Sequence, residues 1–424
     1  MRPRRRLLLL WPAGLAAALL SGCGERRGGD GSAADAAATA ASAAAAAAPP
    51  RELLLQVSLY GPDGDAAPGM RLSATGAAAA TSGADGRVRL LLPRGLEGQP
   101  VHIRLERDGW VIVNALLMQP RLQAVHAEVP VEVIVCPRDE LWRRSVEYHR
   151  HAITGLLQRA HQARIDALGR DSAASRRQRA QLDRERDRAA AWLRGWAGQS
   201  ARWVPERVDG PWEVALRLML QGDADGALAA LDDAAQARDA ARHGGLPDRA
   251  AQTGLLAAAL HLARLDAAAA TAQLERLVQQ QPQSWQAWNQ YAHLQRSGQR
   301  LDLARRGYER TLEIARAAKD DDDAAIALLN LGNIDWDEDR LDVARQRYQQ
   351  ALALWQSVGE GQSINAGITL ANLGRLQTRM RDPRAARQSL EQALAVYRRV
   401  DDEMPGMYLD DRLRIERDLK ALPR

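Results

Sequence analysis

The chain has 424 residues, of which 46% are hydrophobic and 26% are charged, so it can bury apolar cores and is not expected to be wholly disordered. Four of its 58 basic residues lie within residues 1–22, which leaves 54 basic against 53 acidic residues and a net charge of +1 for residues 23–424. A nearly neutral chain attracts polyanions weakly, so nucleic acid is not an expected partner.

The N-terminus has the pattern of an export signal. Four arginines in residues 2–6 precede the apolar stretch Leu7 to Leu20, which is too short to span a membrane comfortably and is typical of a signal peptide. It ends in Leu20-Ser21-Gly22-Cys23, which resembles the lipobox of bacterial lipoproteins. The resemblance implies that residues 1–22 are removed and that Cys23 carries the lipid. The alternative is an ordinary secretory signal with an incidental cysteine.

The segment that follows Cys23 has the composition of a tether. Residues 23–50 are mostly Gly, Ala, Ser and Pro, a mixture typical of linkers. In the lipoprotein family, Gly24 favours sorting to the outer membrane, facing the periplasm. The other cysteine, Cys136, then has no partner for an intramolecular disulfide, and it is expected to pack as a small apolar side chain.

Residues 51–137 show the two-residue alternation of β-strands. Short alternating runs are separated by turn residues such as Asp85-Gly86 and Asp108-Gly109, which predicts a small antiparallel β-sandwich. The alternating residues are Leu53, Leu55, Val57 and Leu59, then Val88, Leu90 and Leu92, then Val101, Ile103 and Leu105, and finally Val129, Val131, Val133 and Val135.

One stretch of this region carries a family resemblance. The sequence from Thr81 to Leu90, with Asp85-Gly86 at its centre, resembles carboxypeptidase-regulatory-like domains, which have a transthyretin-like sandwich. These modules act mostly as spacers or adhesion elements. Two interpretations of Tyr60 and Trp110 stay open: they bind glycan or peptidoglycan, or they pack on the core, which we favour.

Residues 138–210 change to helical spacing and predict a helical connector. One helix carries Trp142, Val146, Ile153 and Leu157, a second carries Leu182, Trp192 and Trp196, and the two are expected to form a hairpin. The second helix also contains six arginines between residues 176 and 188, interleaved in part with acidic residues. This pattern favours a solvated face with local ion pairs over a surface for anionic lipid or a partner.

Residues 211–404 contain a degenerate repeat of paired helices. Small residues recur at Ala227, Ala270, Ala304, Ala344 and Ala386, with spacings of 43, 34, 40 and 42 residues. Together with Leu331-Gly332, Tyr348, Leu373-Gly374 and Leu390, these positions resemble tetratricopeptide repeats. The expected fold class is therefore mainly α, a tetratricopeptide-type α-solenoid preceded by the β-sandwich and the connector. Residues 405–424 are expected to form a capping helix.

The resemblance to tetratricopeptide repeats implies a concave groove lined by the first helix of each pair. By register with the family, the groove residues are Asn289, His293, Asn330, Asn333, Trp336, Asn372, Arg375 and Arg379. They are expected either to bind a peptide or only to solvate the surface. Two acidic clusters, Asp320 to Asp323 and Asp335 to Asp339, are interpreted as solvated loops, the first also capping a helix.

No motif of a catalytic site, a metal site or a nucleotide-binding loop is found, so no enzyme activity, metal or cofactor is expected. The favoured hypothesis is a membrane-anchored adaptor of the bacterial cell envelope that binds an envelope or periplasmic protein in the groove. The alternative is a ligand-binding or adhesion lipoprotein whose β domain binds glycan, with the repeats as scaffold. The sequence does not specify an oligomeric state.

Overall fold

A computed structural model describes the chain from residue 51 to residue 423, with several short gaps. The described ranges are 51–60, 64–93, 101–118, 130–168, 173–200, 210–243, 246–403 and 408–423. The predicted signal peptide at 1–22, the predicted lipidation site Cys23, the tether 23–50 and the predicted strand residue Val129 lie outside these ranges.

The region after residue 50 forms two small β-sheets. Its strands are β1 Arg51–Leu59, β2 Arg71–Ala74, β3 Ala77–Thr81, β4 Arg87–Leu92, β5 Ile103–Leu105, β6 Trp110–Ile112 and β7 Val131–Pro137. One sheet has the strand order β4-β1-β7-β6 and the other has the order β3-β2-β5. The alternating residues of the sequence are buried in a shared core that includes Leu53, Leu55, Val57, Leu90 and Val133.

The pairing of β1 with β7 differs from the expected antiparallel arrangement. Strands β1 and β7 pair in parallel, with Leu55 opposite Val131 and Leu59 opposite Val135. A parallel pair requires a crossover connection, and the five intervening strands provide one. Strands β2, β3 and β6 were not apparent as alternating runs in the sequence. Of these, β3 is Ala-Ala-Ala-Ala-Thr and is held in the sheet by its pairing with β2.

Fourteen helices are present in the described part of the chain. They are α1 Leu141–Asp166, α2 Ala173–Ser200, α3 Pro211–Leu220, α4 Ala224–Ala229, α5 Asp233–Arg242, α6 Pro247–Ala263, α7 Ala267–Gln280, α8 Trp285–Ser297, α9 Leu301–Ala318, α10 Asp321–Asp337, α11 Leu341–Ser357, α12 Ile364–Arg379, α13 Pro383–Glu403 and α14 Leu409–Ala421. Helices α6 to α13 form four consecutive pairs, and together they make the solenoid that the sequence predicted.

The four pairs share the same tight turn between their two helices. The first helix of each pair ends just before a residue in the left-handed region: Leu265, Gln299, Asp339 and Arg381, with φ between 59° and 63°. The five alanines that marked the repeats, Ala227, Ala270, Ala304, Ala344 and Ala386, are all fully buried. The small residues therefore lie where neighbouring helices approach most closely, as the repeat pattern predicted.

The connector helices are part of the helical core and not a separate element. Trp192, Leu193 and Trp196 of α2 are buried in one apolar cluster with residues of α6 and α8 such as Leu256 and Tyr291. The first helices of two pairs, α6 and α8, are thus covered by the α1–α2 hairpin. The predicted hairpin is present, but it lies against the face on which the groove was expected.

The β region also packs against the helices. The ring of Tyr60 contacts the ring of Tyr148 of α1 edge to face, with centroids 6.2 Å apart. Leu116, in the short turn Ala115–Leu117, is buried in the same apolar cluster as α1 and α3. The described residues from Glu52 onward form one compact unit.

The last helix, α14, closes the solenoid with one apolar face. Ile415 is fully buried, whereas Leu409 and Leu413 are 40% and 42% exposed. The helix lies within residues 405–424, for which the sequence predicts a capping helix. Among the helices that the structure describes, none has an apolar stretch long enough to cross a bilayer.

Candidate protein-binding groove

Helices α10 and α12 are the two first helices of repeat pairs whose inner faces stay accessible. Each begins at a side-chain cap: Asp320 accepts a 3.0 Å hydrogen bond from the Asp323 N–H, and Ser363 accepts one of 3.3 Å from the Ala366 N–H. Behind them, Gly332 and Gly374 leave room for Tyr348 and Leu390 of the second helices. Capping and close packing therefore fix both helices in register.

A stripe of partly exposed residues runs along each of these two helices. The positions recur at helical spacing, so they lie on one face of each helix. On α10 they are Ile326, Asn330, Asn333 and Trp336, and on α12 they are Asn365, Ile368, Asn372, Arg375 and Arg379. These two stripes are called the open groove below. Six of the eight groove residues predicted from the sequence lie on them.

The asparagines of the open groove connect consecutive first helices. The Asn330 Nδ2 donates a 3.0 Å hydrogen bond to the Asn289 Oδ1 of α8, and the Asn372 Nδ2 donates one of 3.0 Å to the Asn333 Oδ1. The Tyr348 hydroxyl also donates to the Asn333 Oδ1, at 2.8 Å. These side chains thus stabilise the stack. Within the described residues, the Asn333 Nδ2 and the Asn372 Oδ1 have no partner and can still bind a ligand.

The two arginines of the open groove are held by carboxylates. The Arg375 Nε lies 2.7 Å from the Asp418 Oδ2 of α14, and the Arg379 Nη2 lies 2.8 Å from the Asp339 Oδ1. Trp336 is partly buried and packs against the apolar core behind the groove. Ile326 and Ile368 pack against the same core. The groove residues with unpaired polar groups for a partner are therefore the asparagines.

The other two predicted groove residues, Asn289 and His293, lie where α2 covers α8. The Trp192 Nε1 donates a 3.0 Å hydrogen bond to the Gln290 carbonyl oxygen, and Asn289 is only 6% exposed. Burial, with the nearby Arg296 and Arg194 guanidiniums, lowers the pKa of His293 to about 4. The groove is thus shorter than the repeat pattern suggested, and α2 forms one of its ends.

Sequence reasoning missed this role of α2, although a signal was present. Trp192, Leu193, Trp196 and Ala197 give α2 an apolar face that includes two tryptophans and is buried. Such a face requires a further surface to cover it. The spacing of these residues did not indicate which helices provide that surface.

One member of the second acidic cluster, Asp335, is not solvated as the sequence suggested, whereas Asp337 and Asp339 are exposed. Asp335 is fully buried, with its Oδ1 2.7 Å from the Arg305 Nη2 and 2.7 Å from the Arg340 Nη2, and its Oδ2 2.6 Å from the Arg347 Nε. The cluster joins α9, α10 and α11. Asp335 was misassigned because sequence alone does not show that Arg305 of α9, Arg347 of α11 and Arg340 of the turn before α11 converge on it.

The two aromatic residues proposed for glycan binding are both engaged within the protein. The Arg144 guanidinium lies 5.8 Å from the centre of the Tyr60 ring, and burial raises the pKa of Tyr60 to about 12. The Arg107 guanidinium lies 4.9 Å from the centre of the Trp110 ring, which packs on the sandwich core. Tyr60 packs against the small apolar cluster of Val113, Ile134 and Cys136. Both residues therefore pack on apolar cores, as the favoured interpretation expected.

Two further features bear on chemistry. Cys136 is buried, and burial raises the pKa of its thiol to about 11, so it behaves as the small apolar residue that was expected. In the part of the chain that the structure describes, no group of three or more His, Cys, Asp or Glu side chains is arranged to hold a metal ion.

Comparison with known proteins supports the repeat assignment. Residues 286–352 and 323–399 match the family model of the tetratricopeptide repeat, which describes a repeat and not a catalytic domain. No curated protein sequence matches the chain.

Several solved structures are similar to part of the chain. The crystal structure of BtubC (BKLC) from P. vanneervenii is 22% identical, covers 44% of this chain and 80% of that chain, and has a TM-score of 0.38. MamA 41-end from Desulfovibrio magneticus RS-1 is 19% identical, with 45% and 95% coverage and a TM-score of 0.35. A MamA RS-1 ArsTM double mutant is 19% identical, with the same coverage and a TM-score of 0.34. On the family match and the paired helices, residues 286–399 are tetratricopeptide repeats.

Proposed function

We propose that this chain is a membrane-anchored scaffold of the bacterial cell envelope that binds a partner protein in the open groove. The observation that carries the proposal is the accessibility of α10 and α12, whose inner faces are left uncovered while α2 covers the preceding first helix, α8. Tetratricopeptide repeats bind partner proteins generally. No catalytic role is proposed.

The open groove offers suitable groups for an extended peptide. The unpaired Asn333 Nδ2 and Asn372 Oδ1 are a donor and an acceptor that match the C=O and N–H groups of a peptide backbone. Ile326 and Ile368 add apolar contacts on either side of these polar groups. Because Asn333 and Asn372 are already held by hydrogen bonds, they lose little side-chain entropy on binding.

The proposed anchor is the lipid on Cys23, with the protein on the outer membrane facing the periplasm. The sequence supports this through the signal segment, Leu20-Ser21-Gly22-Cys23 and Gly24. Several acyl chains at about 0.8 kcal/mol per buried methylene would hold the protein on the membrane. Replacing Cys23→Ser should move the protein from the membrane fraction of its host to the soluble fraction or leave it as an uncleaved precursor. Mature, membrane-bound C23S protein would disprove the anchor.

The proposed role of the β region is that of a spacer between the tether and the solenoid. Its resemblance to carboxypeptidase-regulatory-like domains is consistent with this role. The alternative role, glycan binding through Tyr60 and Trp110, is not favoured, because both rings already contact arginines of the protein.

The test of the groove is capture of the partner from detergent-solubilised envelope, with identification by mass spectrometry. The test variant combines Asn333→Ala, Asn365→Ala and Asn372→Ala. The matched control is Gln346→Ala with Gln349→Ala, which removes exposed amides from the second helix α11. A partner that is retained by wild type and by the control but lost from the test variant supports the proposal.

A second measurement distinguishes loss of binding from loss of folding. Because Asn333 and Asn372 also connect α10 and α12, the unfolding midpoint of the triple variant is measured beside its binding. The single variant Asn365→Ala checks whether capture is lost without a loss of stability, because the Asn365 side chain has no hydrogen bond within the described residues. Equal capture by wild type and the folded triple variant would contradict the proposal.

A further inference from the structure

A small cavity lies where α2 crosses the tight turns of the first two repeat pairs. Its volume is about 180 Å³, and α2, α6, α7 and α8 all contribute to its walls. Its floor is formed by Ala189 of α2, Leu262 of α6, Leu265 of the turn that follows α6, and Leu294 of α8. Each of these four residues is at most 7% exposed. We call this space the turn cavity.

Leu265 distinguishes this turn from the equivalent turns of the other pairs. The corresponding residues, Gln299, Asp339 and Arg381, are polar and exposed, whereas Leu265 is 7% exposed. All four have a positive φ, a backbone region in which a side chain crowds its own backbone. Of these four turns, the one that α2 crosses therefore carries an apolar side chain, and that side chain lines the cavity.

The hydroxyl groups of the lining are already hydrogen-bonded within the protein. The Thr271 Oγ1 donates a 2.8 Å hydrogen bond to the Ala267 carbonyl oxygen, and the Ser297 Oγ donates one of 2.8 Å to the Leu294 carbonyl oxygen. A hydroxyl group has one proton to donate. Neither hydroxyl therefore has a free donor for a polar ligand.

The charged residues of the lining lie at the mouth of the turn cavity and have both signs. Arg188 and Arg300 are exposed, and Glu185 is partly exposed. Water solvates such side chains well, so they attract a ligand of either charge only weakly. The main free energy available for binding is consequently the removal of apolar surface from water.

We propose that the turn cavity binds a small uncharged hydrophobic molecule. An apolar cavity of about 150 Å³ stays dry and binds benzene, so the turn cavity should hold an apolar body of roughly seven carbons. The molecule would contact α2, α6 and α8 together and would stabilise the position of α2 across α8. This site is separate from the open groove, and the inference does not depend on the proposed function.

The probe is 4-fluorotoluene, which has a seven-carbon body, added to the purified full-length protein in detergent. Binding is followed by the broadening of its fluorine NMR signal, and the same detergent without protein gives the background from micelles. We expect saturable broadening and an unfolding midpoint that rises with the probe concentration, because the probe binds the folded state. The polar molecule 3-fluoropropane-1,2-diol should cause neither effect. Broadening equal to the detergent background would overturn the proposal.

Matched variants of α2 locate the binding site. Ala189→Leu fills the floor of the cavity with a larger side chain, whereas Ala180→Leu makes the same change at an exposed position of α2 outside the cavity. We expect Ala189→Leu to weaken binding of 4-fluorotoluene at least tenfold and Ala180→Leu to change it less than twofold. Equal affinities of wild type and a folded A189L protein would show that the probe binds elsewhere, and the proposal would be wrong.

A second pair of variants approaches the cavity from the opposite wall, in case Ala189→Leu impairs folding. Ser297→Leu and Ser297→Ala both remove the hydroxyl group of Ser297, but only the leucine fills space in the cavity. We expect Ser297→Leu to weaken binding at least tenfold and Ser297→Ala to leave it within twofold of wild type. Equal losses in the two variants would mean that the hydroxyl group, and not the apolar space, is responsible, which would also overturn the proposal.

Discussion

The ring of Tyr348 packs so closely against Gly332 that a Cβ atom added to this glycine would lie 2.6 Å from the Tyr348 Cε1. The two residues belong to α10 and α11, the two helices of one repeat pair. Gly374 and Leu390 repeat the relationship in the next pair, where a Cβ would lie 2.6 Å from the Leu390 Cγ. Such a contact sets the distance between the two helices of a pair. It therefore also fixes the positions of α10 and α12, which carry the open groove.

Replacing Gly332→Ala should therefore destabilise the protein. An added methyl group in a close-packed interface costs roughly 1–3 kcal/mol, because the neighbouring side chain or backbone has to move. The control is Gly195→Ala in α2, where an added Cβ meets no atom within 4 Å and alanine favours the helix by up to about 1 kcal/mol. In urea unfolding, the free energy of unfolding should decrease in G332A and increase in G195A relative to wild type. Equal stability of G332A and wild type would contradict the packing argument.

The buried carboxylate of Asp335 should be important for stability. Asp335→Asn removes the charge that pairs with Arg305, Arg340 and Arg347. Loss of one partner of a buried ion pair lowers the free energy of unfolding by about 3–5 kcal/mol. The loss should be smaller here, because the three arginines are partly exposed. Asp342→Asn is the control, since Asp342 pairs with Arg345 at the surface, where a pair contributes about 0–1 kcal/mol. Unfolding midpoints that shift equally in the two variants would be evidence against the buried network.

Gln295 is fully buried, and neither its Nε2 nor its Oε1 has a hydrogen-bond partner in the described part of the chain. Gln295→Met keeps the size of the side chain and removes an unsatisfied amide, so it should stabilise the protein by about 1–3 kcal/mol. Gln273→Met is the control, because the Gln273 Nε2 donates a 2.7 Å hydrogen bond to the Gln236 Oε1. This second change should destabilise. A loss of stability in Q295M would show that the amide is satisfied.

Acid should weaken the fold through His149. This residue is buried in α1, and burial lowers its pKa from 6.5 to about 4. Between pH 6.5 and pH 4, His149 binds a proton in the unfolded chain but not in the folded chain. The free energy of unfolding is therefore highest above pH 6.5 and falls as the pH drops toward 4. The free energy of unfolding decreases by about 3 kcal/mol in total, because each unit of pKa difference corresponds to about 1.4 kcal/mol.

The measurement is urea unfolding at pH 7.5 and at pH 4.5 for wild type, His149→Leu and the control His102→Gln. His149→Leu should lose less stability on acidification than wild type does. His102→Gln removes an exposed histidine from the β region and controls for the loss of a histidine as such. An unchanged pH dependence in H149L would mean that His149 is not the group responsible.

The repeats and the positions of the candidate groove residues on α10 and α12 could be inferred from sequence because their signals are local. Ala304, Ala344 and Ala386 mark helices that pack against each other within one repeat. Each repeat, with its two helices and the turn between them, spans about forty consecutive residues. The asparagine positions followed from the same register. Their interhelical hydrogen bonds did not, because a bond between Asn333 and Asn372 depends on how one pair rotates against the next.

The sequence by itself thus determined the helical repeats, their order and the alternating strands of the small sandwich, because each depends on the periodicity of neighbouring residues. Only the tertiary structure decided the parallel pairing of β1 with β7, the strand formed by the alanines of β3, the burial of Asp335 and the position of α2 across α8. The physical reason is that these features arise from contacts between residues far apart in the chain. Local periodicity shows that a face must be covered, but not which distant element covers it.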